Sequence, residues 1–316
     1  MRILFLAPSY LNLYKPIQEE LERQGHHVTY FEDRFLPPIN WVHSWIRKII
    51  AGSRNPLIVY WRHYLKKEKY IFSSKYDIFL CINGMSFHPI LLNRLRRHNP
   101  NVFSSLYVWD TSNYLDYFKY YKYFDKVMSF DIDDCKKYNV SLLPFYWLPV
   151  LNKKDHYSND YMLSIVGSNH DERLDIVEKI AKQLDNYDLK YCFKIFDAPE
   201  TSPFYIGKQL PFEETIDIMQ RSKCILDTDR PTQSGTTPRV IWALALGKKI
   251  ISTNTNLKRM PFFDNQQIAL IDRNSPIIDF DFINNDNPVT NNGATDYIKD
   301  LRIDCWVKQL LPQSVE

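Results

Sequence analysis

Short apolar runs alternate with amphipathic stretches along the whole chain. Arg2–Ala7 opens with a continuous apolar run, too short for a helix, that reads as a buried strand. Helical spacing follows from about Pro16 to Gln24, Gly25 stops it, and His27–Phe31 makes the next strand. The alternation continues with strands over Asp77–Ile82, Phe103–Trp109 and Asp125–Asp131, and helices over Pro89–Arg97 and Asp133–Tyr138. A polar stretch, Val150–Asp160, interrupts it. Beyond lie strands over Met162–Val166, Tyr191–Phe196, Cys224–Leu226, Ile250–Ser252 and Gln267–Ile271. Helices are expected from near Asp171, from Pro211, from Pro238 and over Thr295–Leu311, with a turn-rich loop at Asn284–Gly293. Strands separated by helical stretches predict parallel sheets. The expected fold is α/β, in two halves divided as 1–150 and 151–290, with a terminal helix in 291–316.

The chemistry concentrates between Ser222 and Asn254. An apolar strand there ends in Asp227 and Asp229, and a polar turn, Arg230–Thr237, leads into a helix at Pro238. Proline suits that first position, because its missing N–H is not needed and its φ is already helical. Gly247 is placed to stop the helix. Ser234, Gly235, Thr236 and Thr237 set small residues and hydroxyls around a helix N-terminus, where free N–H groups and the macrodipole favour an anion. Arg239 in the first turn adds a planar fork that fits phosphate oxygens. The same residues also suit an ordinary N-cap cluster with a surface arginine. Gly167 and Ser168 form a second strand–turn–helix junction of this kind, with Arg173 in the first helical turn and His170 nearby. Ligands of open parallel sheets bind beyond the carboxyl ends of the strands. Asn254 closes its strand at that end and joins the candidate binding residues.

The order Ser-Lys-Cys-x-Leu-Asp, then Pro-x-Gln-x-Gly-x-Thr-x-Arg, then Ala-Leu-x-x-Gly-Lys-Lys-x-Ile-x-Thr-Asn resembles bacterial GT-B glycosyltransferases. The similar group builds lipopolysaccharide core, O-antigen or capsule and includes CgeB-like relatives. The resemblance covers Asp160–Asp272 well and the N-terminal half in outline. It implies two Rossmann-like domains facing across a cleft, with donor roles for Gln233, Gly235, Thr236, Thr237 and Arg239. It further implies that the first loop meets the acceptor, through Tyr10, Asn12 and Tyr14, and that the terminal helix braces the first domain. Asp110, at a strand's carboxyl end, is the candidate general base for an acceptor hydroxyl, with an N-cap as the alternative. One departure stands out: the glutamate usual three residues after the arginine is Trp242 here. That side chain either faces the nucleotide or packs in the core, and the ribose contact is open either way.

Composition narrows the picture. The 316 residues are 45% hydrophobic, enough for two cores, and a net charge of +3 gives no sign of a nucleic-acid partner. The first loop, Pro8–Asn12, lacks glycine, which weighs against a dinucleotide cofactor. Five cysteines form no C-x-x-C pair, so a reducing cytoplasm is expected. Asp131, Asp133 and Asp134 straddle a strand–helix junction, which suits capping better than a metal; no metal and no cofactor are expected. No signal peptide or membrane-spanning run is seen. Residues 39–70 combine Trp41, Trp45, Tyr60, Trp61 and Tyr64 with Arg47, Lys48, Arg62, Lys66, Lys67 and Lys69. That mixture suits either solvated helices or contact with an anionic membrane. The partners expected are a nucleotide sugar and a glycan acceptor, lipid-linked. The rivals are a nucleotide-sugar epimerase and a non-catalytic nucleotide-sugar-binding subunit.

Overall fold

A computed structural model describes residues 1–33, 71–85, 87–114, 116–149, 158–285 and 292–313. The basic, aromatic stretch 39–70 and most of the polar stretch 150–160 lie outside the described residues. The chain forms two compact units, Met1–Leu143 with Ile303–Glu316, and Pro144–Arg302. The sequence pattern set the corresponding divisions at 150 and 291.

In unit 1 the chain runs β1 (Arg2–Ala7), α1 (Tyr14–Arg23), β2 (His27–Glu32), β3 (Ile78–Ile82) and α2 (Pro89–His98). It continues through β4 (Phe103–Val108), β5 (Lys126–Ser129), α3 (Ile132–Tyr138) and the short β6 (Ser141–Leu142). All six strands pair in parallel in the order β2-β1-β3-β4-β5-β6. Burial of Ile3–Ala7 and Ile78–Ile82 at every position explains their uninterrupted apolar runs, since a parallel sheet is covered on both faces. One face packs Leu4, Leu6, Phe79, Cys81, Leu106 and Val108 against Leu91, Leu92 and Leu95 of α2.

Unit 2 repeats the scheme. It comprises β7 (Tyr161–Ser168), α4 (Arg173–Asp185), β8 (Tyr191–Phe196), β9 (Tyr205–Ile206), α5 (Phe212–Gln220) and β10 (Ser222–Asp227). There follow α6 (Pro238–Ala245), β11 (Lys249–Ser252), β12 (Ile268–Leu270), α7 (Phe280–Asn284) and α8 (Asn292–Asp300). The six strands are again all parallel, in the order β12-β11-β10-β7-β8-β9. Gly247 ends α6 with φ +67°, a left-handed conformation that glycine adopts at no steric cost.

The single helix predicted over Thr295–Leu311 is instead two, α8 and α9 (Ile303–Leu310). Between them the Leu301 carbonyl accepts from the Trp147 backbone N–H at 3.0 Å, and Arg302 forms a β-bridge with Trp147. A backbone lent to a strand-like pairing cannot also continue a helical ladder. Within unit 1, α9 packs on α1, and the fully buried Trp306 meets the Tyr107 ring edge-on at 4.9 Å.

Each sheet therefore has one reversal of strand order. In unit 1 it falls between β1 and β3, and in unit 2 between β7 and β10. Such reversals open the crevice in which doubly wound sheets bind ligands.

Candidate functional site

In unit 2 the crevice is lined by guanidinium groups. Gly167 and Ser168, predicted as a turn, are the last two residues of β7, paired with Ile195 and Phe196 of β8. The turn is Asn169–Glu172, and α4 begins at Arg173. A Cβ on Gly167 would lie 2.8 Å from Nη1 of Arg173 and 2.8 Å from Nη2 of Arg239. Glycine is what lets both arginines close over the strand end.

Both arginines turn inward. Arg239 donates from Nη1 to Asp227 Oδ1 at 2.7 Å, and from Nε and Nη2 to the Val166 carbonyl at 3.2 and 3.1 Å. Its fork was expected to face the ligand. Asp227, fully buried, claims it instead, because a carboxylate without water needs a counter-charge. The Thr237 and Ser252 hydroxyls also donate to Asp227, at 2.6 and 2.9 Å. Arg173, 4% exposed, donates to Thr228 Oγ1 at 2.6 Å, to the Thr228 carbonyl at 2.7 Å and to the Ser168 carbonyl. It has no carboxylate partner among these contacts. Burial, then repulsion from Arg239, pushes its pKa down to about 9 against the pull of Asp227. Burial lowers Arg239 as well, with Asp227 opposing. Two cations and one anion thus share the floor of the crevice, an excess of positive charge held away from water.

The loop above this floor is tied down at several points. Asn254, fully buried, donates to the Gly235 carbonyl at 2.9 Å and accepts from the Asn256 N–H at 3.0 Å. Ser234, Gly235 and Thr236 are buried, Gln233 is half-buried, and the Gln233 N–H donates to the Arg230 carbonyl at 3.1 Å. Thr237 precedes α6 in an extended conformation, but its hydroxyl serves Asp227 rather than the helix. Thr236 Oγ1 is buried with no hydrogen-bond partner, an orphan of the sort a ligand oxygen satisfies. At the rim, Arg230 is exposed and His170 bonds through Nδ1 to Asp171 at 2.9 Å. Burial, then the charges of Arg173 and Arg230, push the His170 pKa down to about 4. Arg273 pairs with Asp229, whose pKa burial raises while Thr253 and Arg273 hold it down.

Trp242 packs. The side chain is half-buried: its Nε1 donates to the Tyr146 carbonyl at 3.1 Å and its ring meets Phe212 edge-on at 5.1 Å.

Unit 1 brings a different set to its strand ends. Asp110 lies two residues past the end of β4, and among the described residues no helix has it as its N-cap. It accepts from Asn83 Nδ2 at 2.7 Å, and its charge acts on the nearby buried Tyr117 phenol. Burial, then the Asp110 charge, drives the Tyr117 pKa up, so the phenol stays a donor. Asp33, 3% exposed, accepts from the Met85 N–H at 2.6 Å. Tyr10 is 62% exposed and Asn12 is exposed on the turn after β1, whereas Tyr14 stacks on Tyr30 at 4.1 Å. Tyr10 and Asn12 can therefore meet a ligand, and Tyr14 is committed to its stack. Asp131 caps α3, accepting from the N–H groups of Asp133 and Asp134 at 3.0 and 3.1 Å. Among the described residues no group of three or more His, Cys, Asp or Glu side chains could hold a metal ion.

Asp227, Asn83, Asp33 and Tyr117 were not assigned roles from sequence. Asp227 had a signal in its place at a strand's end, and Asn83 in its Asn-Gly pair after an apolar run. Asp33 had none, since its partner Met85 lies 52 residues further along the chain, and Tyr117 had none either.

No family model and no curated protein matches the chain. Among solved structures, Arabidopsis thaliana UGT89C1 in complex with UDP is similar at 9% identity over 98% of each chain, with a TM-score of 0.48. UDP-N-acetylglucosamine 2-epimerase from Rickettsia bellii is similar at 9% identity over 79% of this chain and 78% of that one, with a TM-score of 0.41. A Salmonella D-lactate dehydrogenase reaches 11% identity over 98% and 96%, at a TM-score of 0.26. These likenesses are too distant to bear on chemistry, and the functional reading rests on the residues themselves.

Proposed function

We propose that this protein is a GT-B glycosyltransferase that moves a sugar from a nucleoside-diphosphate sugar to a hydroxyl of a bacterial surface glycan, lipid-linked. The observation that carries the reading is the buried pair Arg173 and Arg239 with one carboxylate, at the strand-order reversal of unit 2. It lies beside the Ser234–Thr237 loop whose sequence resembles a donor loop.

Unit 2 binds the donor diphosphate. Loop amides, the Thr236 hydroxyl and the exposed Arg230 contact its oxygens, while the buried guanidiniums supply a fixed positive field from beneath. Fixed donors and charges stabilise charge that develops on a leaving group without reorganising, usually the largest catalytic contribution. In unit 1, Asp110 takes the proton of the acceptor hydroxyl, and Tyr10 and Asn12 contact the acceptor. Residues 39–70, by their sequence, are the part proposed to touch anionic lipid. The helix terminus and the arginines fill the place that a metal takes elsewhere, so chelators leave activity unchanged.

A panel of UDP-, GDP- and TDP-sugars, with a CMP-sugar as the monophosphate comparison, tests this, by following release of the free nucleotide. Release with transfer to water or an added glycoside supports the reading. Interconversion of the sugar on an intact donor would make the protein an epimerase. Binding without turnover would make it a non-catalytic subunit.

A further inference from the structure

We infer that Asn83 is a positioning residue that aims the Asp110 carboxylate at the acceptor hydroxyl; this rests on the glycosyltransferase reading above. Asn83 follows β3 and is 1% exposed. Its φ of +58° is left-handed, a conformation asparagine tolerates better than other non-glycine residues. Its backbone N–H donates to the Tyr107 carbonyl at 2.8 Å, which locks the end of β3 to β4. The side chain spans the same two strands. Oδ1 accepts from the Trp109 N–H at 2.9 Å, and Nδ2 donates to Asp110 Oδ2 at 2.7 Å.

The amide orientation is fixed by chemistry. A backbone N–H only donates, so Oδ1 must face Trp109, which leaves the NH₂ for Asp110. The buried Tyr117 phenol lies near the same carboxylate, whose charge helps raise its pKa. The amide donor fixes the direction of the carboxylate, and a base must lie within hydrogen-bond reach of the proton it takes. An aspartate at position 83 would fit the same space and backbone. It would set a second negative charge against Asp110 where the amide now donates.

In the step served, the acceptor O–H proton passes to Asp110 as the oxygen bonds to the sugar's anomeric carbon. The bond from that carbon to the phosphate oxygen breaks, and its electron pair leaves with the nucleoside diphosphate. Water can replace the acceptor in the same step.

The test is nucleotide release from the donor sugar that the panel selects, for wild type, Asn83→Gly and Asn83→Asp, across pH. Asn83→Gly keeps the left-handed turn and deletes only the side chain. It is expected to lower kcat by about tenfold with KM for the donor unchanged, as loss of aim rather than of binding requires. Asn83→Asp keeps the volume and is expected to move the acid limb of the kcat profile to higher pH, because like charges compete for one proton. A purely structural asparagine would lower the unfolding temperature and leave both readouts where they were. If wild type turns over the donor and Asn83→Gly keeps its kcat, with no shift in Asn83→Asp, the positioning role is wrong and the glycosyltransferase reading stands. If wild type neither binds nor turns over any donor, the reading itself falls and the role falls with it.

Discussion

At the end of β7 and β10 two guanidiniums sit buried around one carboxylate. At the corresponding end of β1 and β3 the described residues are carboxylates, an amide and phenols. The two sheets share strand number, parallel pairing and one reversal of order, so the backbone does not explain the contrast. Side chains on the loops do. Gly167 admits Arg173 and Arg239 over the strand in unit 2, whereas Asn83 and Tyr117 draw together on Asp110 in unit 1. The same strand arrangement carries buried guanidiniums in one unit and a hydrogen-bonded carboxylate in the other. Function is a property of the site and not of the fold.

The sharpest way to break the contrast is to remove its two carboxylates in turn. Asp110→Asn should lower turnover by about 10²–10⁴-fold, the usual contribution of a general base, with nucleotide affinity unchanged. Steady-state kinetics beside calorimetry checks this, and a parallel fall in affinity would deny the division of labour. Asp227→Asn should instead act on stability. It leaves Arg239 buried without its partner, which costs about 3–5 kcal/mol and is read by urea unfolding.

Gly167→Ala comes next. Its methyl meets two guanidinium nitrogens at 2.8 Å, so both arginines must shift. Nucleotide affinity should fall by about tenfold, or about 1.4 kcal/mol, and titration calorimetry would show it.

A smaller effect tests the charge around His170. Arg173 and Arg230 press on the imidazole, and the Asp171 carboxylate opposes them. With a folded pKa of about 4 below the ordinary value of 6.5, the histidine is neutral at pH 7. Its effect on stability is therefore lost as pH falls from 6.5 towards 4, where the unfolded chain binds the proton first. An anion beside the ring favours the protonated form, so nucleotide binding should take up protons and tighten as pH falls from 7 to 5.5. Calorimetry in two buffers of different ionisation enthalpy measures that uptake, and His170→Asn should abolish it. Smallest of all, Arg230→Gln at the exposed rim should weaken binding by a few-fold and flatten its salt dependence, since exposed charges are screened.

The sheet strands were legible because burial on both faces leaves an uninterrupted apolar run. Arg2–Ala7 and Tyr191–Phe196 have the bounds their patterns predict, and Pro238 does start its helix. The two-residue strands Ser141–Leu142 and Tyr205–Ile206 are too short to carry a pattern. The break in the last helix depends on Trp147, more than 150 residues earlier, and no local rule reaches that far. The donor-loop stretch was legible as chemistry, but the direction of Arg239 was not. A sequence shows a guanidinium near a helix start. Only the fold shows that Asp227, twelve residues back, holds it inward at 2.7 Å.

The excess positive charge in unit 2 is proposed as a diphosphate seat. Titration calorimetry of UDP, GDP, TDP and CMP against wild type and Gly167→Ala, at low and at high salt, meets it most directly. The account predicts that one nucleoside diphosphate binds wild type, that affinity drops in Gly167→Ala, and that salt weakens the buried contacts only modestly. If none binds a correctly folded wild type at millimolar concentration, the arginines are internal ties between strand ends and the claim is wrong.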